Sequence, residues 1–265
     1  MSGSRAAAKG AAGKIKLNTD TNFLKLVAII SMLIDHLGAR VFPQYFEMRY
    51  IGRLAFPLFA YCTAMGCVFT KNIGKYALRM AVMAIIVQPL YATAMGHQQM
   101  MSFNWAENFY RLDLLFKHYY LVKPSILFTL LIGILLIWTI RDKQYLLTGL
   151  LMAVTWYIEG KLDYGLYGIF LMLMFYTLRE KPAASFAWVF LYMVWHDVPG
   201  IQLWKQQLQA GMALSMPKYV NVQFYAVLAL PLIYIPFKTG VKINKYFFYV
   251  FYPAHLALIY LLTMG

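Results

Sequence analysis

The sequence predicts an all-α fold, a polytopic membrane helical bundle of about nine transmembrane helices, and three observations lead there. Of its 265 residues, 62% are apolar and only 13% charged, with a mean hydropathy of +0.58. A soluble domain carries charge on about a quarter of its residues. Apolar runs of about 17–25 residues, long enough to cross a bilayer, recur along nearly the whole chain. Many of the cations gather in short connections between the runs, where they set topology.

The first span reads as 23–42, following a polar, Ala/Gly/Lys-rich stretch. The second, 51–70, opens on Gly52-Arg53, and the third covers 74–95. Residues 96–124 are rich in aromatics and charges, and 105–120 within them read as an interfacial or re-entrant helix, a tenth element. Pro124 suits the start of a fourth span at 125–140, because a first-turn proline forfeits no helix bond. The charged turn Arg141-Asp142-Lys143 separates it from 144–158, followed by 163–178, 184–200, 219–237 and 245–264. Pro57, Pro89, Pro231, Pro236 and Pro253 lie in or near these runs and are expected to kink them, freeing carbonyls that need other partners.

With the N-terminus in the cytoplasm, every inner loop is net basic: Lys71, Lys75 and Arg79; Arg141 and Lys143; Arg179 and Lys181; Lys238, Lys242 and Lys245. The opposite side holds Glu47, Glu107, Asp113, Glu159, Asp163 and Asp197. The C-terminus is then outside. Residues 1–22 lack the apolar core of a secretory signal and read as a basic, disordered cytoplasmic tail. The net charge of +14 does not indicate nucleic-acid binding, since no zinc-finger, RNA-binding or basic-zipper signature accompanies it. Cys62 and Cys67, five residues apart, point about 140° apart on a helix, which disfavours a disulfide.

Within the first span stand Asp35 and His36. Charge inside hydrocarbon is costly, so such residues mark function by default. The bland alternative is a buried polar network that locks helix packing. Lys25 lies eleven residues before His36. Eleven helical steps return nearly to the same face, roughly 16 Å along the axis, which describes a path through the membrane. Adjacent residues point about 100° apart, so Asp35 is poorly placed to orient His36 and better placed to pair with Arg53 or His255 on other spans. Arg49 reads as a headgroup anchor, whereas Arg53 reads equally as an anchor or as a neutraliser of Asp35 or of an anionic ligand. Asp163 and Tyr164 lie at the turn before the sixth span, His196-Asp197 at the end of the seventh, and His255 beside Pro253 in the ninth. His97 and His118 flank the long outer segment.

Local zinc-ligand spacings are absent, and no metal is expected. Neither a GxSxG elbow nor a glycine-rich phosphate loop occurs. A membrane-embedded imidazole with carboxylates and arginine suits general-base catalysis or transient acyl transfer.

Several segments carry a resemblance to a known family: Lys25 with Asp35-His36; Gly52-Arg53-Leu54-Ala55-Phe56-Pro57-Leu58-Phe59-Ala60; Ser125-Ile126-Leu127-Phe128-Thr129; Asp163-Tyr164-Gly165-Leu166-Tyr167-Gly168; and Phe251-Tyr252-Pro253-Ala254-His255-Leu256. In this order they resemble the TraX family, named for the F-pilin acetylase of conjugative plasmids. The resemblance runs over residues 23–264, and the Lys-X10-His spacing is also similar to the Arg/Lys-X10-His motif of the wider transmembrane acyltransferases. It implies a single acyltransferase-like membrane domain over 23–265, in a bacterial cytoplasmic (inner) membrane. It further implies transfer of an acetyl group from cytoplasmic acetyl-CoA to a membrane-associated acceptor at the outer side. That acceptor is the N-terminal amine of a pilin-like protein or, alternatively, a hydroxyl or amine of a glycan or small molecule. By motif position the resemblance makes His36 and Asp35 catalytic and puts Lys25 and Arg53 at the donor. It leaves His255, Asp163 and Tyr164 supporting the site, and His196, in a region (185–219) that matches no family motif, is expected to support it from its place at the outer end of the seventh span. A proton-coupled transporter is the non-enzymatic alternative, although no convincing internal repeat marks one.

Overall fold

The computed structural model describes residues 17–95, 111, 113, 117–121, 123–209 and 222–264. Among them every regular element is helical. The α-helices are α1 (Thr21–Arg40), α2 (Glu47–Gly52), α3 (Ala55–Phe69), α4 (Ile73–Ala94), α5 (Ile126–Arg141), α6 (Tyr145–Ile158), α7 (Gly165–Thr177), α8 (Pro182–Gln209), α9 (Leu230–Tyr234) and α10 (Lys245–Met264). Among the described residues, four stretches are long and apolar enough to cross a membrane: Thr21–Arg40, Glu47–Phe69, Ile73–Ala94 and Tyr246–Met264. Shorter apolar helices cover Ile126–Arg141, Gly165–Thr177 and Val222–Tyr234. The molecule is a helical membrane protein.

The contacts divide the chain into two compact units. Of the described residues, one contains those within 17–62 and 174–242, the other those within 63–173 and 243–264.

In the first unit the chain is ordered earlier than the sequence suggests. Residues 1–16 of the expected tail lie outside the described residues, but Leu17 and Asn18 are buried. The Asn18 backbone N–H donates to Ile233 O (3.1 Å), its side chain donates to Leu232 O (2.8 Å) and its carbonyl accepts from the Tyr61 hydroxyl (2.7 Å). A segment with three such bonds is part of the fold, which corrects the reading of a disordered tail through residue 22. Asp20 then caps α1, accepting from Phe23 N–H (3.3 Å) and, through its other oxygen, from Thr239 N–H and Oγ1 (2.8 and 2.7 Å). These donors hold its carboxyl below the usual carboxylate range, the Thr239 N–H most of all.

α2 folds back on α1. A Cβ on Gly38 would stand 2.6 Å from the Met48 Cβ, and one on Gly52 would collide with Asp35. Position 35 therefore faces 52 while 38 faces 48, an antiparallel crossing closed by glycine on each partner. Tyr50 of α2 stacks on Tyr225 at 4.3 Å between ring centres.

Pro57 does not kink a span as expected. It occupies the first turn of α3, where an amide hydrogen has no helical partner. The break falls earlier, at the turn of Arg53 and Leu54. The expected span 219–237 is also corrected in kind. Its described part is a 3-10 helix, Val222–Ala229, followed by the five residues of α9. Pro231 starts α9, and the backbone turns extended at Ile235 before Pro236. α8 instead continues to Gln209, past the apolar run, through residues such as Lys205 and Gln206 that are good helix formers but invisible to hydropathy.

In the second unit, α4 packs against α5 and α10, and α5 against α6. Pro89 lies inside α4, and the carbonyl it leaves without a backbone donor, Ile85 O, accepts from the Tyr120 hydroxyl (2.9 Å). Gln88, fully buried, pins the chain entering α5: its amide donates to Tyr119 O (2.7 Å) and Lys123 O (3.0 Å) and accepts from Ser125 N–H (2.7 Å). A turn at Lys117–Leu121 with π-helical bonding overlaps the segment expected as a tenth element; 105–110, 112 and 114–116 of that segment lie outside the described residues. On α6, Leu146 and Tyr157 are 81% and 89% exposed, so this helix shows an apolar flank of the kind lipid covers.

Candidate functional site

Asp35 is the centre of the polar cluster in the first unit. Arg49 Nη1 donates to its Oδ2 (2.8 Å) and also to its backbone carbonyl (3.0 Å). Arg53 Nη2 donates to its Oδ1 (2.6 Å), and Arg53 Nε donates to Arg49 O (3.3 Å). One carboxylate thus holds two guanidinium groups, one on each oxygen. The side chains of Asp35, Arg53 and Arg49 are 13%, 15% and 27% exposed, so the cluster is largely withdrawn from solvent. In such surroundings a lone carboxylate would be costly, and charge-assisted bonds on both oxygens offset that cost.

Arg53 stands where the helix geometry puts it, on Asp35. Arg49 is the residue the sequence reading missed: it is an ion-pair partner of Asp35 rather than only a headgroup anchor. Its signal was available, because Arg49 and Arg53 are four residues apart and share a helical face. Gly52 belongs with them, since any side chain there would occupy the place of the Asp35 carboxylate.

His36 follows Asp35 on α1, half-buried, with its ring directed about 100° around the helix from Asp35. Lys25 sits on the same unbroken helix, also half-buried, so the eleven-residue spacing describes one face at two depths. His196 pairs within α8 with Asp197, Nδ1 to Oδ1 at 3.5 Å; the histidine is exposed and the aspartate buried.

The other motif residues gather in the second unit. Thr129 Oγ1 donates to Asp163 O, tying α5 to the turn before α7. Tyr164, which adopts φ +61° at that turn, stacks against Tyr167. Tyr252 of α10 is buried and lies within electrostatic reach of Asp163. The His255 ring stacks on Phe251 (5.4 Å between ring centres) and meets Tyr252 edge-on (5.2 Å). Its Nδ1 lies 3.1 Å from Phe251 O. A carbonyl can only accept, so Nδ1 carries the hydrogen. The segments Ser125–Thr129, Asp163–Gly168 and Phe251–Leu256 are thus linked through Thr129, Asp163, Tyr252 and His255.

Comparison with known proteins adds a family to this geometry. The model of the family described as TraX protein matches residues 20–263. The chain belongs to the TraX family. Among similar proteins, this TraX-family chain is 27% identical over 247 residues to a probable fimbrial assembly protein FimC, serogroup H1, of Dichelobacter nodosus, covering 89% of this chain and 92% of that protein. It is 29% identical over 168 residues to the uncharacterized protein RP591 of Rickettsia prowazekii (strain Madrid E), covering 60% of this chain and 56% of that one. No solved structure matches it.

Proposed function

We propose that this TraX-family protein is an acetyl-CoA-dependent integral membrane acetyltransferase, with His36 as the catalytic group and the Asp35–Arg49–Arg53 cluster as its electrostatic support. The observation that carries the reading is that cluster, built next to a histidine on a membrane-spanning helix. In this reading the protein crosses a bacterial cytoplasmic membrane about nine times, N-terminus inside, as one acyltransferase domain from residue 23 onward. The anionic nucleotide end of acetyl-CoA stays on the cytoplasmic side near Lys25, and the pantetheine arm brings the thioester toward His36. The acceptor nitrogen or oxygen attacks the thioester carbonyl carbon while His36 takes its proton. The carbonyl oxygen becomes an oxyanion that arginine stabilises. The carbon–sulfur bond then breaks and the departing thiolate receives the proton. His196, in the same unit, supports the site. The acceptor is a membrane-associated molecule, in the first instance the N-terminal amine of a pilin-like protein. The similarity to a protein named for fimbrial assembly supports that choice.

The test is ligand-linked stability. Acetyl-CoA should raise the Tm of the detergent-purified protein in a saturable way, because it binds only the folded state. A Tm indifferent to acetyl-CoA, as expected of a transporter or scaffold, would refute the reading.

A further inference from the structure

Arg49 contributes a single nitrogen to the cluster. Nη1 serves both the Asp35 carboxylate and the Asp35 backbone carbonyl. Its Nε and Nη2 make no bond among the described residues. These two nitrogens form the edge of guanidinium that receives a planar oxyanion with two parallel hydrogen bonds. The edge is preorganised: Nη1 is fixed on α1, Arg53 Nε holds the Arg49 carbonyl, and the Tyr50–Tyr225 stack fixes the next residue. It is also reachable, since the Arg49 side chain is 27% exposed, the most of the three. Asp35 stands five residues before the end of α1, about 8 Å from it, within the reach of a group at the membrane interface. Arg53 already neutralises Asp35, so the charge of Arg49 is available to an external anion.

We infer that the Nε/Nη2 edge of Arg49 is an oxyanion-binding site, taking a phosphate group that belongs either to a lipid headgroup or to a soluble molecule. The site does not depend on whether an acetyl group is transferred nearby. Lysine at this position would keep the charge and could still reach Asp35, but it has no planar fork.

The experiment uses the full chain in neutral detergent with arginine labelled at Nε, the Arg49 signal being assigned by its loss in R49K. Octyl phosphate and inorganic phosphate are titrated separately, with octyl glucoside as the uncharged control. A saturable shift of the Arg49 signal with phosphate and none with the glucoside is expected, together with a rise in Tm that R49K weakens by roughly tenfold in apparent affinity. Saturation by octyl phosphate well below the concentration needed for inorganic phosphate assigns a headgroup, and equal saturation assigns a soluble anion; each upholds the site. An Arg49 signal that neither phosphate moves overturns it, as does an R49K protein that binds as tightly as the parent. Should R49K fail to fold, the Arg49 signal is assigned by its loss in R49Q, and the titration of the parent signal then decides.

Discussion

Replacing Gly52 by alanine would test whether the close crossing of α1 and α2 builds the arginine cluster. A Cβ at residue 52 would collide with the Asp35 carboxylate and with the Asp35 Cβ itself. Turning the carboxylate away is therefore not enough, and the helices must separate. Overpacking of this kind costs about 1–3 kcal/mol. Loss of two partly exposed ion pairs adds to it, less than the 3–5 kcal/mol typical of a fully buried pair. Alanine recovers up to about 1 kcal/mol of helix propensity. The net expectation is a loss of roughly 2–4 kcal/mol, read as a lowered Tm in detergent. Gly38→Ala is the internal comparison, because it crowds Met48 on the same crossing and spares Asp35. If the cluster matters for chemistry, G52A loses acetyl transfer far beyond its loss of folded protein, while G38A loses the two in proportion. A G52A protein with parental Tm would refute the close crossing, and one with parental transfer would refute its link to function.

Three further outcomes follow from the same structure. Gln88→Leu leaves Tyr119 O, Lys123 O and Ser125 N–H without their buried partner and should cost about 3 kcal/mol or more in thermal unfolding, whereas a neutral result would contradict that network. Among the described residues the buried Tyr252 hydroxyl has no hydrogen-bond partner, so Tyr252→Phe should leave the Tm unchanged or raised, and a large drop would show that the hydroxyl is satisfied after all. The Asp20 carboxyl is held low, so its stabilisation is complete above the unfolded value near 3.9 and disappears as pH falls through the lower folded value. Asp20→Asn should therefore be less stable at neutral pH by about 1 kcal/mol, with the gap to the parent closing below about pH 4; a gap that widens in acid would reverse the assignment.

Hydropathy made most of the helices legible, since α1, α4, α5, α6, α7 and α10 lie within two residues of the expected runs at both ends. It could not show where an apolar run stops being an α-helix, because 3-10 and α segments bury the same side chains; residues 222–234 are the instance. Nor could it extend α8 through polar helix formers to Gln209. The start of the fold was present as a local signal that the charge of the tail obscured: Asp20 precedes Thr21 as an N-cap. At the site, Asp35 and Arg53 were legible from the expense of burying charge. For Arg49 the sequence offers only its four-residue spacing from Arg53, because its pairing with Asp35 is fixed by the fold-back of α2, which two glycines, each reading as ordinary, announce.

The most direct measurement of the central claim is transfer from labelled acetyl-CoA in membranes carrying either the parent protein or His36→Ala. The parent should label one membrane-associated acceptor, and the folded, membrane-inserted His36→Ala protein should label none. Labelling of the acceptor at the parental rate by His36→Ala would contradict the assignment of His36 as the catalytic group.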